Sequence, residues 1–399
     1  MEHEQVGRFQ ASLPAIVGDI ERLVRTESPS ADLAAVARSA EVVAAIGTAR
    51  LGVEPDLIVL DGRTHLRWRL GTGAGPGDGA GGGAGSGGGL RRVLVLGHHD
   101  TVWPLGSLAT HPFEVRDGVL RGPGCFDMKA GLAMAFHALA ATAATAARGA
   151  ANGVTLLVTG DEELGSPSSR QLIEAEATGC AAALVLEASA EGGALKTERK
   201  GVSRYDVRVR GRAAHAGLEP ERGVNAGLEA AHQMLAVAGL ADPDVGTTVT
   251  PTLLAAGTTV NTVPAEGHFA VDVRVRDAAE QSRVDADMRA LKPVLDGAEV
   301  EATGGPNRPP LQHAASEELY VRAQSLAERL GIGPLKAASV GGASDGNFTA
   351  GVGTPTLDGL GAVGGGAHAD HEHVLIAELP RRTALLAALL GDLLSGGAR

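Results

Sequence analysis

The apolar positions of this chain follow two rhythms. Between residues 91 and 187, short unbroken apolar runs alternate with helix-like stretches. They are RRVLVLG (Arg91 to Gly97), KAGLAMAFHALAATAATAA from Lys129, VTLLVTG (Val154 to Gly160), SSRQLIEAEA, and ALVLE (Ala183 to Glu187). A run without a polar face suits a strand covered on both sides, and strand-helix-strand alternation lays such strands parallel. The expected fold class is therefore α/β, a mostly parallel sheet flanked by helices. Near Lys200 the period becomes two: YDVRVRG and HFAVDVRVR (His268 to Arg276) keep valines on one face and Asp272, Arg274 and Arg276 on the other. That is the pattern of antiparallel strands wet on one side. A helix-like stretch around Val224 to Ala238 lies between them, and Asp277 is placed to cap a helix over Ala278 to Leu291. Residues 200–308 thus read as a small α+β domain inserted into an α/β domain made of 1–199 and 309–399. From Ala314 the chain returns to a helix, short strands with Gly-rich turns, and a final helix from Ile376 to Leu394.

Composition narrows the function. Across 399 residues, 47 acidic and 35 basic side chains leave a net charge of -12, which argues against nucleic acid or an anionic membrane as partner and suits a soluble enzyme. No apolar stretch approaches the ~18 residues of a membrane helix. The opening MEHEQVGRFQ lacks a basic-then-apolar secretory pattern, so a cytoplasmic protein is expected. Two cysteines, Cys125 and Cys180, exclude a disulfide framework and a four-thiolate zinc site, so any metal must rest on histidines and carboxylates. Twelve of the 57 glycines fall in GTGAGPGDGAGGGAGSGGG (71–89), a tract with almost no side chain to bury that reads as a flexible surface loop between two strands.

Five polar clusters end or connect the expected strands. In GHHDTVWPLG, His98 and Asp100 stand at i and i+2 on one side of a strand. There the carboxylate can accept from a ring nitrogen and fix the tautomer of a metal-bound imidazole; a satisfied polar turn is the plainer alternative. In RGPGCFDMKAG, Asp127 precedes a helix and could equally be its N-cap. TGDEELGS sets Asp161, Glu162 and Glu163 in a row, and such carboxylates share a cation or a proton, or face water. Glu187 ends an apolar strand, where acids commonly meet solvent. GGGAHADHEHV gathers His368, His371 and His373 in a loop that is either a metal site or merely hydrated. Together the clusters offer a mixed N/O donor set that suits zinc, with more ligands than one ion needs, which points to two ions sharing a carboxylate. Cys125 has no evident base and reads as packing. The Gly-rich SVGGASDGNF lacks the Lys-Ser/Thr of a phosphate loop, so nucleotide binding is not expected.

From His98 to His368 the order of these motifs resembles the di-zinc exopeptidases and deacylases. These include bacterial glutamate carboxypeptidase, acetylornithine deacetylase, succinyl-diaminopimelate desuccinylase and aminoacylase, and the glutamate carboxypeptidase branch is the most similar. The resemblance implies His98 as a ligand of one zinc with Asp100 as its orienter, Asp127 as the bridging ligand followed by a cis peptide to Met128, Glu162 as general base, and Glu163, Glu187 and His368 as the remaining ligands. His99 would point away from the metals. The same resemblance makes the inserted domain a lid and dimerisation domain, in which GRAAHAGLEPERGVNA carries His215 across the interface to the partner's scissile carbonyl. It implies Asn261 in GTTVNTVPAEG as a substrate or oxyanion contact, and Arg274 in DVRVRD as a binder of substrate carboxylate, with Arg308 in GGPNRPP a further candidate. Gly359 and the run Gly364 to Gly366 would let backbone approach substrate.

The resemblance thus implies a zinc-dependent hydrolase, a homodimer with two Zn(II), or Co(II) or Mn(II), per chain, acting on a small peptide or N-acyl amino acid with a free carboxylate. The glutamate carboxypeptidase-like reaction comes first. A deacetylase, desuccinylase or aminoacylase reaction is the second reading, and a catalytically silent metal-binding scaffold the third. Neither nucleic acid nor membrane is an expected partner.

Overall fold

The structure is a computed structural model that describes residues 2–71, 92–145 and 153–395. Apart from Gly71, the glycine-rich tract lies outside the described residues. The chain opens with α1 (Glu2–Val24), α2 (Leu33–Leu51), β1 (Asp56–Leu60), β2 (Arg63–Leu70) and β3 (Val93–His98). A hairpin of β4 (Glu114–Arg116) and β5 (Val119–Arg121) leads to α3 (Ala130–Thr145), β6 (Val154–Thr159), α4 (Arg170–Ala177), β7 (Ala182–Val185) and β8 (Leu195–Arg199). There follow β9 (Gly201–Arg210), α5 (Ala226–Ala238), β10 (Thr248–Ala256), β11 (Glu266–Val275), α6 (Ala278–Arg289) and β12 (Glu299–Arg308). The chain ends with α7 (His313–Arg329), β13 (Ala337–Val340), α8 (Gly346–Gly351), β14 (Thr356–Leu357), β15 (Gly364–Gly365), β16 (His373–Leu375) and α9 (Leu379–Ser395). It divides into two compact units. One is Met1–Glu198 with His313–Ser339 and Ser344–Arg399; the other is Arg199–Gln312 with Val340–Ala343.

The first unit is built on a six-stranded sheet of order β1-β2-β6-β3-β7-β14. Strands β6, β3, β7 and β14 run parallel, and the sheet is extended by β2, antiparallel to β6, and by the edge strand β1, antiparallel to β2. Strand β3 shows why the central runs do not alternate. Val93 and Val95 pack into the cluster that holds Ile16, Trp68 and Phe136, whereas Leu94 and Leu96 pack with Leu157, Ile173 and Phe348. Both faces of the strand are therefore apolar. Trp68 meets Phe136 edge-on at 5.4 Å and 74°. The three helices α1, α2 and α3 are further tied by the buried Asp19, which accepts from Arg50 Nε at 2.7 Å and lies 2.9 Å from His137 Nε2. Since β3, β6 and β7 are parallel, their C-terminal ends, at His98, Thr159 and Val185, lie on one edge of the sheet. In open α/β sheets that edge is where ligands bind.

The second unit runs β-α-β-β-α-β, with an antiparallel sheet of order β10-β11-β9-β12. Val207, Val209, Phe269, Val271 and Val273 point into its core against Ala226, Ala230, Val284 and Met288. Their alternates Arg204, Arg208 and His268 are exposed on the other face. The α6 helix is capped by Asp277, whose side chain accepts from Glu280 N at 2.9 Å. Among the described residues, no helix is long and apolar enough to cross a membrane.

Candidate metal centre

Five segments at the C-terminal edge of the first unit's sheet converge on one carboxylate. Asp127 stands three residues before the first residue of α3 in non-helical backbone, with φ of -115° and ψ of 96°, and the peptide to Met128 is cis. Its carboxylate lies between two imidazoles, with Oδ1 3.3 Å from His98 Nε2 and Oδ2 3.3 Å from His368 Nε2. His98 Nε2 is also 3.6 Å from Glu187 Oε1, and His368 Nε2 is 3.2 Å from Glu163 Oε2. Asp127 therefore stands between two imidazoles, His98 with Glu187 on one side and His368 with Glu163 on the other, while His98, Asp127 and Glu163 also offer donor atoms within 4.8 Å of one another. A Glu162 carboxylate oxygen lies within 4.8 Å of donor atoms of His98 and Glu187.

Local chemistry explains this convergence. Side chains alternate along β3, so His98 enters the cluster while His99 turns away, with Nδ1 3.1 Å from Ser39 Oγ and Nε2 3.0 Å from the Thr64 carbonyl. Burial pushes His99 down to about 4. The three acids in a row do not collide, because Asp161 leaves the cluster to accept from Ser168 Oγ at 2.6 Å and Ser169 Oγ at 2.5 Å. Asp100 does more than orient His98. His98 Nδ1 lies closest to the Asp100 carbonyl oxygen, at 3.0 Å, and 3.4 Å from the carboxylate. That carboxylate accepts from Ser30 Oγ at 2.6 Å and from the backbone N–H groups of Glu162 and Glu163, each at 3.2 Å, so it also fixes the turn that carries both glutamates. At the Glu187 strand end, a Cβ on Gly131 would stand 2.3 Å from the Leu186 carbonyl oxygen, and one on Gly361 2.2 Å from the same atom. Only glycine permits these approaches of α3 and of the segment after β14 to the strand end.

The electrostatics call for added positive charge. Burial works against a charge on His98, yet contacts with Asp100, Asp127 and Glu187 outweigh it and hold the imidazole well above its ordinary value. His368 is pushed up to about 10 by Asp127 and then Glu163. Asp127 is held well below the carboxylate range, because its bonds to His368 and His98 overcome burial. Burial, reinforced by Asp127, raises Glu163, and its Oε1 is buried without a hydrogen-bond partner. Carboxylates outnumber imidazoles, and one buried acceptor is orphaned. A pair of divalent cations fits this donor set of oxygen and imidazole nitrogen.

The other residues singled out in the sequence lie elsewhere. In the second unit, Asn261 accepts from Ala216 N at 2.9 Å through its carbonyl, and His215 pairs with Thr262, so the His215 and Asn261 loops adjoin. The guanidinium of Arg274 is already engaged by Asp272, through Nε–Oδ1 at 2.7 Å and Nη2–Oδ2 at 2.9 Å. Arg308 is buried at the end of β12, where its carbonyl accepts from Gln281 Nε2. In the first unit, Gly359 has φ of 78° and gives its carbonyl to the buried Arg382, which makes it a tight turn. His371 is exposed, and His373 Nδ1 lies 2.9 Å from the His371 carbonyl oxygen; neither joins the cluster. The residue that the histidines of this loop concealed is Glu372, which is buried and bonded to the Asp127 loop.

Known proteins share this plan. The profile of peptidase family M20/M25/M40 matches residues 94–392. Carboxypeptidase G2 of Pseudomonas sp. (strain RS-16) is 32% identical over 399 residues, covering 97% of this chain and 92% of that protein. A succinyl-diaminopimelate desuccinylase of Methylorubrum populi is 27% identical over 321 residues, covering 75% of this chain and 81% of that protein. Among solved structures, the M20 family metallo-carboxypeptidase Sso-CP2 from Sulfolobus solfataricus shares the fold, with a TM-score of 0.69 at 15% identity over 95% of this chain and 99% of that one.

Proposed function

This chain belongs to peptidase family M20/M25/M40 and is a metal-dependent amide hydrolase of the carboxypeptidase and deacylase kind, and from that premise we propose that it removes a C-terminal amino acid, or an N-acyl group from an amino acid, using two zinc ions. The observation that carries the reading is the single carboxylate of Asp127 facing two ligand groups with Glu162 beside them. Zinc held by His98, Asp127 and Glu187 and by Asp127, Glu163 and His368 would polarise the scissile carbonyl and acidify a water. Glu162 is the group placed to accept the proton of that water and to return it to the leaving amine. Asp100 holds Glu162 through its backbone while orienting His98. Specificity for a free carboxylate falls to a planar guanidinium. Arg308 is one candidate; Arg274 would have to exchange Asp272 for the substrate. Gly359, as a tight turn, has at most a shaping role.

The substrate reading is tested by following amine release from peptides with C-terminal glutamate and from N-acetyl and N-succinyl amino acids, with and without chelator. Chelator-sensitive release of C-terminal glutamate is expected. Release from N-succinyl substrates alone would favour the deacylase reading, which the desuccinylase relative supports.

We further assign a homodimer in the cytoplasm, built through the second unit. Leu228 and Leu235 on α5 are 50% and 76% exposed, and Leu253 and Leu254 on the edge strand β10 are 77% and 52% exposed. An uncovered apolar helix face beside an open sheet edge is an interface signature. On this reading His215 and Asn261 stabilise the oxyanion in the partner's site. Mixing inactive His215→Ala with inactive Glu162→Ala is then expected to regain activity through hybrid dimers, in which one site has both residues intact. A mixture as inactive as its components, once subunit exchange is shown, would remove His215 from the partner's site.

A further inference from the structure

Glu372 follows His368 by four residues and is only 3% exposed. Its two oxygens take four donors. Oε2 accepts from Trp103 Nε1 at 2.7 Å and Gly124 N at 2.9 Å; Oε1 accepts from Phe126 N at 2.8 Å and Asp127 N at 3.0 Å. Three of these donors are backbone N–H groups of the one loop that carries Asp127. Successive N–H groups directed at a buried carboxylate form strong, directional bonds, and they define where the loop can sit. On the other side, Glu372 and His368 share a short turn. It is closed by Ala369 N to the Gly366 carbonyl and by Glu372 N to the Ala369 carbonyl, each at 2.9 Å, with His368 at φ of 63°. Immediately afterwards β16 pairs with β5, His373 opposite Arg121, which sets this turn against the segment leading to Asp127. One carboxylate therefore joins the loop of the shared aspartate to the loop of the last histidine.

We infer that Glu372 is a positioning residue of the metal centre, the tie that fixes the Asp127 carboxylate relative to the His368 ring. The inference rests on reading the cluster as a two-cation site. Glu372 touches no reacting atom; it acts through the two ligands it connects. A glutamine at this position keeps the volume but replaces one oxygen by an NH2 group facing N–H donors, so one pair of bonds is lost and becomes a repulsive contact.

The test titrates metal-free wild type, Glu372→Gln and Trp103→Phe with Co(II), reading the visible spectrum and the binding isotherm, with circular dichroism as the check of folding. Glu372→Gln is expected to bind at least one Co(II) ~10–100-fold more weakly, the range found for outer partners of metal ligands, and with an altered spectrum. Its kcat falls while KM stays near wild type. Trp103→Phe removes one donor and leaves the three backbone bonds, so it shifts affinity in the same direction by a few-fold. If Glu372→Gln does not fold, Trp103→Phe carries the test, and wild-type affinity in it overturns the assignment. A folded Glu372→Gln with wild-type isotherm and spectrum and only a lower Tm makes Glu372 a strut and overturns it as well. A wild type that binds no Co(II) overturns the two-cation reading itself, and this inference with it.

Discussion

Replacing Glu162 by alanine is expected to leave the protein folded and its cations bound while kcat falls by roughly 10²–10⁴-fold, the usual weight of a positioned general base. The argument is geometric. Asp127, Glu163 and Glu187 each face a histidine nitrogen at 3.2 to 3.6 Å, in the two ligand groups. Glu162 is the carboxylate beside these groups whose removal leaves both of them intact. It also lies within 4.8 Å of the donor atoms of His98 and Glu187, so constant metal content in the variant is what separates a base from a third ligand there. A ligand's loss would show in metal content; a base's loss shows in turnover at constant metal content, with KM little changed. Elemental analysis and amine-release kinetics on the same preparation check both. Activity near wild type would remove Glu162 from the base role.

The second large effect is expected at Asp127. Its two oxygens divide between His98 and His368, so Asp127→Ala removes a ligand from both groups at once. Cation binding that is confined to the folded state stabilises it by ~4 kcal/mol when free metal is a thousand times its dissociation constant. For a protein of this size that corresponds to a Tm shift on the order of 5 °C. Wild type should therefore lose this increment on adding chelator, whereas Asp127→Ala should be inactive and its Tm insensitive to chelator. Scanning calorimetry with and without chelator separates the two. A variant that keeps wild-type metal content and a chelator-sensitive Tm would show that Asp127 is not shared.

The contrast between the legible and the hidden parts of the molecule has physical causes. Strands β3 and β11 are legible because burial on two faces or on one imposes an unbroken or an alternating pattern. The Asp277 cap is legible because capping is local, settled within three residues. The small sheet of β4, β5, β15 and β16 gives no such signal, since its strands span two or three residues and several are exposed. Within the cluster, motif order brings out His98, Asp127, Glu163, Glu187 and His368, residues separated by up to 270 positions, because each ends a strand or sits in a turn beside one. Their supports are less visible. Asp161 stands in a row with two site glutamates, although its partners Ser168 and Ser169 are in the next turn. Glu372 hides among three histidines and beside a second acid, the exposed Asp370, so nothing in the loop's sequence marks it as the buried one. The pairing of Arg274 with Asp272 agrees with strand alternation, two residues apart on one face, yet that spacing says nothing about which carboxylate the arginine serves.

The most direct test of the account is the metal content of wild-type protein purified without chelator, measured together with amine release before and after chelation. The account predicts about two divalent cations per chain, as a shared-carboxylate site requires, with release that stops on chelation and returns when zinc is restored. A single cation or none, or release that continues undiminished in chelator, would contradict a two-cation centre bridged by Asp127.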